Sequence, residues 1–266
     1  MFDDFSATLA ARWCAENYLF NVVVTLSLCR WCLTRTAREV VPLVRYPDAK
    51  LIIFAKTPEL GKVKTRLIPL LGEQGALDFH VASLRLALEQ RVAMHLSSVV
   101  LYLQGEAPQW LSTLCEQLNV DIAQQRGEGL GERMLHAATE QLSLASRIVL
   151  SGTDCLTLSE QRFSAIYETL GVNDAAIIGA DDGGYVALGL TQVSTELFTR
   201  FSFGNDQVYK KTVHAMLTLD WRFAELDKTW DVDRPEDIRR LGLGSLPQGE
   251  NDWYAAIKPL DQRALY

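Results

Sequence analysis

From Leu51 onward the apolar residues fall into two alternating rhythms. The runs 51–54, 99–103 and 148–150 are short and continuous, as in strands covered on both faces, and 120–123 is a weaker run of the same kind. Between them, 73–96, 108–118 and 131–142 carry apolar residues at helical spacing, with Pro108 where a first helical turn tolerates it. A helix is also expected over 159–170, with Ser159 as its N-cap. This alternation predicts an α/β domain, a largely parallel sheet with helices on both faces. The runs 175–179 and 185–190 follow one another without a helix between them, so the sheet is expected to be mixed at that point. A helix over 205–219, a strand over 223–226 and a helix over 235–241 complete the expected core. We take 49–245 as the domain and 246–266 as an irregular tail.

Residues 1–48 follow a different pattern. The apolar run 18–29, YLFNVVVTLSLC, is shorter than a membrane-spanning helix requires. Asp3 and Asp4 precede it, no small-residue cleavage site follows, and Leu28 is a poor residue before a lipidated cysteine. We therefore expect a loosely attached extension of uncertain order, as an upstream start codon would produce, and no stable membrane insertion.

Composition narrows the class. The chain has 266 residues, 48% of them hydrophobic and 22% charged, enough for a sizeable core in a soluble globular protein. A formal net charge of −7 argues against nonspecific nucleic-acid binding. Five dispersed cysteines do not make a secreted disulfide framework, and a reducing cytoplasm is the expected setting. Cys29 and Cys32 form a CxxC without a second pair, and the four histidines show no metal-ligand spacing.

Against this acidic background, residues 51–67 (LIIFAKTPELGKVKTRL) are locally basic. Lys56, Lys62, Lys64 and Arg66 are answered within the loop by Glu59 alone. A strand that opens into a loop and then a helix is where open α/β sheets bind phosphate. A solvated basic loop accounts for the same composition. The segment is not a Walker A motif, because Lys56 and Val63 stand where glycine and a hydroxyl are needed. The glycines at 127, 129 and 131 likewise fail the dinucleotide fingerprint, with Glu132 in place of its third glycine.

Three acidic stretches complement the basic loop. Asp154, in SGTDC after the run 148–150, would sit at the carboxyl edge of the sheet facing the cations. There it could ligate Mg²⁺, which takes only one or two carboxylates, or simply form an Asx turn. In DVDRPEDI, Asp233 and Glu236 have capping-box spacing, while Asp231 and Asp233 share one face of an extended segment and could supply a second metal ligand. In GADDGGY, the paired glycines permit a tight turn, and Asp181 and Asp182 offer a base. A plain hairpin turn explains these letters as well.

Taken in order, FAKTPELGKVKTRL, GLGERM, SGTDC, DDGGYVALGL and DVDRPEDI resemble motifs of small bacterial glycosyltransferases with the GT-A nucleotide-diphospho-sugar transferase fold, including those associated with radical-SAM and arsenosugar pathways. The resemblance spans about 51–241. The first motif is also similar to that of phospholactate guanylyltransferase, and the last to that of molybdenum cofactor guanylyltransferase, which keeps nucleotidyl transfer open. The resemblance implies a metal-dependent transferase acting on a nucleotide sugar, or on an NTP in the alternative, and a small-molecule acceptor. It implies that Lys56, Lys64 and Arg66 hold phosphates, with Gly129 and Gly131 beside the nucleotide. Asp154 would ligate Mg²⁺ or Mn²⁺, with Asp233 as second ligand. Asp182 would be the acceptor's base, and Gly183 and Gly184 would lie near the transferred group. The sequence departs from the family at Leu156, where a proline is usual, and at FGND (203–206), which replaces a tryptophan-containing stretch.

Overall fold

The apolar runs become strands of one sheet whose carboxyl edge carries every loop singled out above. The computed structural model describes residues 44–243 and 245–258. The extension expected over 1–48 lies outside these residues except for 44–48, where the backbone N–H groups of Arg45 and Tyr46 bond to the carbonyls of His95 and Leu96. Asp48 also pairs with Arg147 at 2.8 Å.

In chain order the elements are β1 (Ala49–Lys56), α1 (Ile68–Ala93), β2 (Ser98–Gln104), α2 (Gln109–Leu118), β3 (Asp121–Gln124), α3 (Leu130–Leu142) and β4 (Arg147–Ser151). Then come α4 (Glu160–Thr169), β5 (Ala175–Ala180), β6 (Tyr185–Leu190), α5 (Val208–Thr218), β7 (Phe223–Thr229), α6 (Pro235–Arg240) and α7 (Glu250–Ile257). The sheet has seven strands in the order β3-β2-β1-β4-β6-β5-β7. Only β6 runs against the others, pairing antiparallel with β4 and β5. It is the strand that follows β5 without a helix, so the mixed sheet expected from the missing crossover is observed.

Strand side chains alternate between the two faces, each with its own core. Leu51 and Ile53 pack with Leu84 and Leu88 of α1 and Phe163 and Ile166 of α4. Ile52 packs on the other face with Met134 and Ala137 of α3 and Met216 of α5. A third cluster joins Phe79, Leu67, Leu156 and Val232 to Trp253.

Two boundaries differ most from expectation, while Ser159 stands at the helix start expected of it. The α1 segment starts at Ile68 but is broken at Gly72, whose φ of 72° only glycine adopts cheaply. Ser159 occupies the N-cap of α4 without a side-chain capping bond. The segment expected to be an irregular tail contains α7, which buries Trp253 and Ile257. Among the described residues no helix is long and apolar enough to cross a membrane.

Candidate active site

The strand order turns back between β1 and β4, and the loops leaving those neighbours diverge to open a crevice. A cavity of about 650 Å³ lies at this edge. Its lining includes Lys56 at the end of β1, Lys64 and Arg66 from the segment after it, Asp154 after β4, Asp182 after β5, and Asp231 and Asp233 after β7. The sequence-predicted cations and acids therefore converge, although they come from widely separated parts of the chain.

The three cations differ in what they face. Lys56 ends β1 and is exposed. Lys64 has a left-handed backbone (φ 46°, ψ 39°), uncommon outside glycine, and turns its side chain inward. Only 4% of that side chain is exposed, and its ammonium lies 2.9 Å from Asp154 Oδ1. It also donates to the carbonyl of Val232 and sits 5.7 Å from the centre of the Phe79 ring. Lys64 thus lines the cavity with its ammonium already committed to partners on two neighbouring loops. Arg66, half-exposed, pairs with the Asp233 carboxylate.

The carboxylates divide in the same way. Asp154 retains 40% side-chain exposure, so a ligand can reach the oxygen that Lys64 does not hold. Burial pushes its carboxyl up and is the largest single influence, but the charges of Lys64 and His80 and the hydrogen bonds from Lys64 and Thr153 together outweigh it and hold the carboxyl below the usual carboxylate range. Asp154 also anchors its neighbour loop, since its carbonyl accepts the Val232 N–H at 3.0 Å. Asp231 behaves oppositely. Burial, followed by the charges of Asp182 and Asp154, pushes it up to about 6. Asp233, the expected second metal ligand, instead has an oxygen engaged by Arg66. Nor does it cap α6: Asp237 accepts the backbone N–H of Arg234 at 2.7 Å and that of Asp233 at 3.1 Å. The capping box expected from Asp233 and Glu236 is replaced by this pairing one residue on.

The turn between β5 and β6 is built for glycine. Asp182 Oδ1 accepts the Gly184 N–H at 2.8 Å. Gly183 has φ +88°, and a Cβ there would lie 2.1 Å from the Asp206 carbonyl oxygen. This contact presses the turn against FGND, whose Phe203, Gly204, Asn205 and Asp206 all line the cavity. Gly184 is in the lining as well, but Gly129 and Gly131 are not; α3 contributes Leu130 and Met134 instead. A Cβ on Gly131 would come within 1.9 Å of the Phe198 carbonyl oxygen, so this glycine lets α3 pack closely.

Among the cavity residues that belong to no motif are two glutamines that escape sequence reasoning. Gln125 follows β3 and donates its amide to the carbonyls of Ala55 and Tyr102, both at 2.9 Å. Gln104 ends β2. A polar residue at a strand's carboxyl end is the only signal either one offers.

The donor set fits a hard divalent cation only with help from substrate. Among the described residues no three His, Cys, Asp or Glu side chains gather closely enough to hold a metal. Asp154 and Asp231 nevertheless repel one another across the cavity floor. One or two carboxylates are what Mg²⁺ uses when phosphate and water complete its shell, and the cation would relieve this crowding.

Residues 87–205 match a family model described as "Uncharacterized protein conserved in bacteria (DUF2064)". No curated protein matches the sequence. Among solved structures, the chain is similar to a candidate nucleotide-diphospho-sugar transferase from Desulfovibrio desulfuricans G20. The two are 26% identical with a TM-score of 0.69, over 82% of this chain and 97% of that one. The 4-diphosphocytidyl-2C-methyl-D-erythritol synthase from Anaerococcus prevotii DSM 20548 is 13% identical with a TM-score of 0.48, over 73% and 94% of the respective chains. A cytidylyltransferase from Leptospira borgpetersenii serovar Hardjo-bovis (strain JB197) is 13% identical with a TM-score of 0.42, over 82% and 96%. The chain thus has the α/β fold of the Desulfovibrio protein, a mostly parallel seven-stranded sheet with the cavity at its carboxyl edge.

Proposed function

We propose that the protein is a transferase that moves a sugar from a nucleotide diphospho-sugar to an acceptor hydroxyl. The observation that carries this reading is the meeting of Lys56 and Arg66 with Asp154 and Asp231 in one cavity at the strand-order reversal. Cations there suit a diphosphate, and the acids suit a metal bridging it. Similarity to the Desulfovibrio protein supports the same class.

In this reading Lys56 and Arg66 hold the donor's phosphate oxygens. Arg66 is the better clamp because its planar fork can grip two oxygens, once phosphate displaces Asp233. Lys64 keeps Asp154 ionised and oriented, rather than binding phosphate as the family resemblance implies. Asp154 and Asp231, in preference to Asp233, would hold Mg²⁺ or Mn²⁺, which when bound supplies Lewis-acid stabilisation of the leaving diphosphate. Gly183 and Gly184 bring the turn close to the transferred group. Asp182 takes the proton from the acceptor hydroxyl as its oxygen bonds to the anomeric carbon. The bond from that carbon to the phosphate oxygen breaks, and the nucleoside diphosphate leaves with the electron pair.

Thermal unfolding against UDP- and GDP-sugars and the four NTPs, with Mg²⁺ or Mn²⁺, tests the reading. A ligand at a hundred times its Kd adds about 2.7 kcal/mol, a readable rise in Tm. We expect a metal-dependent rise with one nucleotide sugar, lost in Asp154→Ala. A rise with an NTP alone would favour nucleotidyl transfer instead, and no rise with any of them would count against the phosphate-site reading.

A further inference from the structure

We infer that Trp253, in the C-terminal helix α7, is a positioning residue for the candidate active site and acts through Phe79 and Lys64 on Asp154. The inference rests on the reading above only in taking Asp154 as a functional carboxylate. Helix α7 lies outside the segment 87–205 that the family model matches.

Each of three loops at the cavity sends one apolar side chain down into a shared cluster. Leu67 follows Arg66 and is 0% exposed, Leu156 follows Asp154 by two residues and is 4% exposed, and Val232 stands between Asp231 and Asp233 and is 1% exposed. Trp253, itself fully buried, packs in that cluster with Phe79. The loops therefore share one apolar footing, to which α7 contributes the largest side chain.

From this footing a continuous set of contacts leads to the site. The Trp253 ring meets Phe79 edge-on, with centroids 5.0 Å apart and planes at 79°. The Phe79 ring also meets the Lys64 ammonium, 5.7 Å from its centre. That ammonium reaches Asp154 Oδ1 at 2.9 Å. A buried ammonium is stable only while its few partners keep their geometry, so the position of the Phe79 ring governs the Lys64–Asp154 pair. Removing the indole opens space into which Phe79 can turn, withdrawing the ring from Lys64. The Trp253 indole N–H has no hydrogen-bond partner among the described residues, so Trp253 acts through volume and shape. Phenylalanine should therefore substitute for it better than leucine does.

Hydrogen exchange read by mass spectrometry on the full chain tests this without any substrate. In Trp253→Leu, amides in 62–67, 152–156 and 230–233 should exchange about tenfold faster, while β2 and α2 keep wild-type rates, because the loosening is local. Trp253→Phe should lie near wild type. Met216→Ala, a core change on the opposite face of the sheet, should leave the three loops selectively unaffected. Faster exchange confined to α7, or a uniform rise across the molecule, would overturn the inference. So would the same loop response in Met216→Ala. If Trp253→Leu does not fold, Phe79→Leu carries the same expectations and the same contrary outcomes. In a second readout, UDP and GDP with Mn²⁺ should bind Trp253→Leu at least about tenfold more weakly than wild type, with Trp253→Phe restoring affinity. If wild type binds neither nucleotide, the transferase reading fails, while the exchange result still decides the role of Trp253.

Discussion

Lys64 and Arg66 are near neighbours in sequence but meet different surroundings: one ammonium is buried on Asp154 and Phe79, and one guanidinium is half-exposed on Asp233. Among the described residues Asp231 makes no ion pair, and Lys64 only partly offsets what raises it. Its carboxyl, near 3.8 in the unfolded chain and raised to about 6 in the fold, binds a proton more tightly when folded. Its contribution to stability is therefore fully present below about pH 4 and lost as pH rises through about 6. In EDTA at pH 7, Asp231→Asn should stabilise the protein by on the order of 2 kcal/mol and flatten the fall in Tm between pH 4 and 6. Unchanged Tm and slope would show that Asp231 is not crowded by its neighbours. Asp182→Asn should lower turnover by about 10²- to 10⁴-fold with little change in donor affinity. Steady-state kinetics within a few-fold of wild type would remove Asp182 as the base. The sequence shows that acids and cations cluster, but not which pairs with which. Asp231 and Asp233 share a face of one extended segment, and only the fold brings Arg66 onto the second of them.

At the scale of elements, the β5–β6 turn is the tightest point of the site. Gly183→Ala should cost roughly 2–4 kcal/mol, because it combines a strained φ with a contact against backbone that cannot turn aside. A Tm close to wild type would mean that the turn moves freely away from Asp206. Gly204, with φ +85° but open space around it, should tolerate alanine better, by about 1–2 kcal/mol. The strands of this region were legible because buried strands read as unbroken apolar runs. Helix α7 is not, because it is short and its two buried residues, Trp253 and Ile257, make a single i, i+4 pair that acquires meaning only against the third core cluster. The start of α5 lies three residues later than periodicity places it, after a turn in which the Asn205 side chain accepts the Gln207 N–H, whereas α6 starts at Pro235 as expected.

At the scale of the molecule, one reversal in strand order brings loops from opposite ends of the domain to a single edge. The alternation of strands and helices announced a mostly parallel sheet, and the missing crossover after β5 announced the antiparallel strand. Strand order itself has no local signature, and it is what sets the basic loop beside SGTDC. The cavity at that edge mixes cations with acids, as the proposed metal-bridged diphosphate would require. The products formed from nucleotide sugars test the central claim most directly. Wild-type protein with Mn²⁺ and the donor that raises its Tm should release a nucleoside diphosphate, slowly with water and faster with acceptor, and Asp154→Ala should abolish the release. Pyrophosphate formed from an NTP, or nucleoside diphosphate release that persists in Asp154→Ala, would contradict it.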